Sequence, residues 1–181
     1  MFSSFTKRKL SDNQIANMFV NALFEATDNG FSAVAEMINE DAVFETSPNL
    51  KSGDEGHFNL VVIAANLSVL ESAFESDQAE RIENLVFVKL GQIYSIDAVD
   101  ARTKVKEYQS LISRVNHPSK NVVYAMSKGV FHTYKLAQFQ REAYFKSIGN
   151  PNPLFLKRLD EVMEMFLWDW DAFFKKYKFA G

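Results

Sequence analysis

Three histidines, His57, His117 and His132, and no cysteine at all narrow the proton transfer, nucleophilic attack and metal ligation open to this 181-residue chain. Without cysteine there is no disulfide framework, thiolate nucleophile, Cys-ligated zinc or iron–sulfur cluster. The histidines do not pair either. Helical zinc and di-iron sites need a His or Glu at set turn offsets from a second ligand, and neither HExxH nor ExxH occurs. Asp54-x-x-His57 is the only close acid–His spacing, and it sits in a Gly-containing loop where both side chains read as solvated. The phosphate cradles GxGxxG and GxxxxGK with a following Ser or Thr are missing, as is the GxSxG nucleophile elbow. No catalytic residue, cofactor or metal ion is expected.

The remaining polar candidates lie among apolar neighbours. Asp160, Glu161 and Glu164, like Glu71 and Glu75, are placed opposite apolar stripes. An acid–base pair would need burial to separate its pKa values, so these carboxylates read as solvated faces. Tyr108, His132, Tyr134 and Tyr144 are the groups placed to make polar contacts if an apolar pocket opens between helices. Trp168 falls on the polar side of the last helical segment, near Glu161, Glu164 and Lys175, and is the candidate interface anchor, a role in which Trp is enriched.

The elements that must position these groups are helices. From Asn152 to Phe179, Phe155, Leu159, Val162, Phe166, Trp170, Phe173 and Tyr177 recur at steps of three and four, predicting one long aromatic-rich C-terminal helix that starts on an Asn cap and Pro153. Lys175, Lys176 and Lys178 suit its negative end. Ser11 with Gln14 forms a capping box, Leu10 and Ile15 a staple, and the first helix should run to Thr27, where Asp28-Asn29-Gly30 ends it before a short second helix from Phe31 or Ser32 to Asn39. Phe44 to Gly56 reads as the longest irregular segment, expected to be mobile.

Phe58 to Phe74 is apolar almost all round, as a central helix is, although 60–64 and 85–88 also fit short buried strands. Helices follow over Gln78 to Gln92 and Asp97 to Val115. Lys120 to Ile148 reads as one long helix with a bend at Gly129, ending at Gly149 before a turn into the C-terminal helix. No repeat of twenty to fifty residues is present. The expectation is a single all-α domain over 1–181, a bundle of six to seven helices, with 1–10 as a flexible segment.

Composition fits that architecture: 47% hydrophobic residues, only 7 Gly, and 17 Phe to fill the core. A net charge of −3 disfavours nucleic-acid binding, which needs a basic surface. The most apolar run, Leu60 to Leu70, falls short of the ~20 residues that span a bilayer, and Met1 to Leu10, with Phe2, Phe5 and three cations, lacks the apolar stretch of an export signal. A cytoplasmic protein without stable membrane insertion is expected. Function follows from what is missing: a non-catalytic helical protein-interaction or regulatory protein, binding a protein partner or itself. The alternative is a protein that binds an apolar small molecule in an aromatic-lined pocket between helices, with or without enzymatic activity.

Overall fold

The computed structural model describes residues 7–180. The chain is all-α. Its elements are β1 (Arg8–Leu10), α1 (Asp12–Glu40), α2 (Glu55–Leu67), α3 (Leu70–Ala73), α4 (Ser76–Tyr94), α5 (Ala98–Asn116), α6 (Val122–Thr133), α7 (Ala143–Ile148), α8 (Pro153–Met163), α9 (Trp170–Lys176) and β2 (Tyr177–Phe179). Single 3-10 turns occupy Leu136–Phe139 and Glu164–Phe166.

The capping box forms as read: the Gln14 N–H donates to Ser11 Oγ at 3.3 Å and the Ser11 N–H to Gln14 Oε1 at 3.0 Å. The helix it starts does not stop at Asn29-Gly30. It runs unbroken to Glu40, and Gly30 has a packing role: a Cβ there would lie 2.6 Å from the Phe166 ring. A glycine that looked like a terminator is the place where an aromatic side chain lies on the helix backbone.

α2 is the centre. Every residue from Val61 to Leu67 is buried, and α1, α5 and α6 all pack on it, while α4 bridges α1 and α5 and α8 covers α6. Helical neighbours on every side settle 60–64 and 85–88 as helix. One hydrophobic cluster extends from Leu10 to Phe173, and the aromatic positions Phe155, Phe166, Trp170 and Phe173 lie inside it.

Three long elements read from periodicity are broken. Lys120 to Ile148 bends at Lys135, not Gly129: Lys135 has φ +54°, and the chain then passes through a 3-10 turn and an isolated bridge between Gln140 and Phe44 before α7. Gly129 instead allows close packing, with a Val61 methyl and the Ile112 Cγ1 methylene 3.1 and 3.2 Å from where a Cβ would stand. The C-terminal segment divides into α8, a 3-10 turn, α9 and β2. Phe58 to Phe74 pauses after Leu67.

Residues 8–10, expected to be flexible, pair in parallel with 177–179, Leu10 opposite Phe179, and the Ala180 N–H closes on the Leu10 carbonyl at 2.8 Å. Phe2 and Phe5 lie outside the described residues. The irregular stretch before α2 is pinned by Asn39, whose amide donates to the Leu50 carbonyl and accepts the Leu50 N–H, both at 2.8 Å. Asp41 holds it further through a two-pronged contact with Arg158 at 2.7 and 2.8 Å. Among the described residues no helix is long and apolar enough to cross a membrane.

Candidate functional site

Asn66, fully buried on α2, shapes the surface around Trp168. Its Nδ2 donates to the carbonyls of Val62 (2.8 Å) and Phe166 (2.9 Å), and its Oδ1 accepts the Trp168 N–H (2.8 Å). Those two groups of the C-terminal segment would otherwise serve its helical ladder. With them taken, Leu167 is extended (φ −86°, ψ 123°), and Asp169 restarts the helix by accepting the Ala172 N–H at 2.9 Å. Trp168 therefore does not stand on the polar side of a continuous helix. It turns inward, edge-on to Phe19 at 5.9 Å and against Trp170 and Phe173 at 5.7 and 5.8 Å, and is half-buried.

The break leaves an open cleft of about 780 Å³ between the end of α2 and α3, the start of α6 and this segment. Val69, Ala73, Val122 and Val123 form one wall, and Leu167, Trp168, Trp170 and Phe174 the other. Glu164, Asp169 and Asp171 are its charged groups, and among the described residues no Lys or Arg lines it. The indole N–H groups of Trp168 and Trp170 are buried and have no hydrogen-bond partner among the described residues. One turn behind Glu164, burial pushes the Asp160 carboxyl above the usual carboxylate range, tempered by the Ser127 hydroxyl and Lys128 and reinforced by Glu164. Such a surface offers apolar contact and negative charge.

The four polar candidates separate into two sets. Tyr108 and Tyr134 meet around His57 at the start of α2. The Tyr108 hydroxyl is 2.5 Å from His57 Nδ1, and the Tyr134 hydroxyl donates to the Asp54 carbonyl at 2.5 Å while accepting the Phe58 N–H at 3.0 Å. Asp54 makes no side-chain cap of α2, so Tyr134 performs that task from α6's end. Burial raises both phenols above their ordinary value, for Tyr108 with Glu107 and for Tyr134 with Asp54 adding to it, against the opposing Phe58 amide. Both phenols therefore stay protonated at neutral pH.

Tyr94 belongs to the same region. Its hydroxyl is buried without a partner, and burial, with Tyr108 and Asp28 nearby, pushes it up to about 12. His132 and Tyr144 lie elsewhere. His132 is in the last turn of α6, held below its ordinary value by burial and by Lys128 and Arg114, and Tyr144 stands 67% exposed on α7. Asp54 and His57, the one acid–His spacing, do not bond: the Asp54 carboxylate accepts the Lys51 N–H. From the sequence His57 reads as a solvated loop residue, whereas it stands in the first turn of α2 beside Tyr108 and Tyr134. The signal available for Asn66 was an amide inside an otherwise apolar helix, which must find buried partners.

Among the described residues no three His, Asp or Glu side chains converge to hold a metal ion. Compared with known proteins, the chain matches no family model, no curated protein and no solved structure.

Proposed function

We propose that this protein is a non-catalytic interaction protein whose acid-rimmed aromatic cleft takes a basic, apolar segment of another protein. The observation that supports it is the pairing of two tryptophans with three carboxylates, and among the described residues no cation, in one open groove. Apolar area there supplies the affinity, aromatic anchors being the usual centre of such contacts. The carboxylates supply the choice of sign, favouring Lys- and Arg-bearing segments and repelling acidic ones. The Tyr–His group around α2 serves this reading as scaffold, since its hydroxyls are spent on capping and on one another's neighbours.

Trp168 and Trp170 are the chain's only two tryptophans, so intrinsic emission reports on the cleft directly. A synthetic amphipathic peptide of alternating Leu and Lys should change that emission saturably, and the Leu–Glu peptide of the same length should not. Glu164→Lys with Asp171→Lys should weaken the basic peptide about ten-fold or more at low salt, with the difference shrinking as salt rises. Equal responses to both peptides would remove the proposal. Emission that depends on protein concentration without peptide would assign the cleft to a second copy of this chain instead.

A further inference from the structure

A second cavity, of about 300 Å³, opens between α2, α4 and α5, away from the acid-rimmed cleft. Leu90, Ala101 and Val105 form its floor and are buried, while Leu60, the Tyr94 side chain and Ile96 form its walls. Its only charged neighbours are Asp100 and Lys104, one turn apart on α5 and opposite in sign, so its mouth has no net preference for an ion. The turn from α4 to α5 keeps it open. Ser95 adopts φ +56°, and Gly91 approaches the Ile96 carbonyl so closely that a Cβ would stand 2.8 Å from it, which holds Ile96 as a lip.

Water in such a space lacks the two to four polar partners that buried water needs. Because the Tyr94 hydroxyl is already buried without a partner among the described residues, an apolar occupant displaces that water without breaking a hydrogen bond within the protein. The volume is about twice that of the ~150 Å³ apolar cavity known to hold benzene, which admits a molecule of one or two rings or a short alkyl chain. We infer that this cavity is a binding site for a small, neutral, apolar molecule, independent of whatever occupies the tryptophan cleft.

Indole, neutral and soluble to millimolar concentration, is the probe, and backbone amide chemical shifts of the whole chain are the readout. Saturable shifts confined to α2, α4 and α5 are expected. Ala101→Leu, which fills the floor, and Ile96→Asp, which sets a charge on the lip, should each weaken indole about ten-fold or more. Ile96 is 41% exposed, so the second variant keeps its fold even if the first disturbs packing. Absence of saturation, shifts centred on Trp168 and Trp170, or unchanged affinity in Ile96→Asp would overturn the assignment. The response to the Leu–Lys peptide should be the same in wild type and in Ile96→Asp, which separates this site from the cleft.

Discussion

Replacing Asn66 by Leu tests whether one buried amide holds the C-terminal segment in its broken path. The side chains are close in volume, so the change removes hydrogen bonds with little change in packing. It deletes the donation to Val62 and to Phe166 and the acceptance from Trp168. The Val62 carbonyl keeps its helical partner, so that loss is minor. The Phe166 carbonyl and Trp168 N–H are left without one, each worth about 1–3 kcal/mol when buried. Trp168 is half-buried, so water recovers part of its share, and the extra apolar area of Leu offsets about 1 kcal/mol. A net loss of about 3 kcal/mol follows. Urea unfolding followed by tryptophan emission reads this directly, because both tryptophans border the affected residues. With a slope of about 2 kcal/mol/M, the midpoint should fall by roughly 1.5 M. A fall of less than about 0.5 M with unchanged native emission would show that the break at 164–169 is maintained by something else, and the account of the cleft would fail with it.

Gly30→Ala should destabilise by about 1–3 kcal/mol in thermal unfolding despite alanine's better helix propensity, because the new methyl meets a Phe166 ring that is itself pinned edge-on to Phe58 at 4.9 Å; a stabilised variant would contradict this packing. Tyr94→Phe removes a buried hydroxyl with no partner and should stabilise by about 1 kcal/mol. Because Tyr94 ionises near 10 when unfolded and only at about 12 when folded, the protein should also lose stability as pH rises from 10 to 12, and the variant should lose less over that range. Asp160 has the same sign: its folded pKa is raised, so its contribution is full below the unfolded value near 3.8 and declines as pH climbs through the folded one. Asp160→Asn should therefore unfold at higher denaturant than wild type at neutral pH, with the gap closing below that value; a gap independent of pH would refute the assignment.

What the sequence by itself determined is local. Ser11 with Gln14 starts α1, Asn152 with Pro153 starts α8, and the steps of three and four place Phe155, Phe166, Trp170 and Phe173 in the core. The apolar circumference of α2 makes it central wherever its neighbours lie. These features follow from groups within one or two turns of each other, which is the range over which side-chain periodicity and capping act. Tertiary structure decided where helices stop. Asn39 clamps Leu50, Asn66 clamps Phe166 and Trp168, and Gln140 donates to the Asn150 carbonyl at 2.8 Å while accepting the Asn152 N–H at 2.7 Å. In each case a side-chain amide binds one backbone carbonyl and one N–H of the segment it clamps, as a neighbouring strand would, and frees that segment from its own ladder. The Asn66 clamp spans a separation of 100 and 102 residues, so the unbroken helical period at its target carries no trace of it. Both the tryptophan cleft and the turn of Trp168 into the core depend on that contact, which exists only once α2 and the C-terminal segment have packed together.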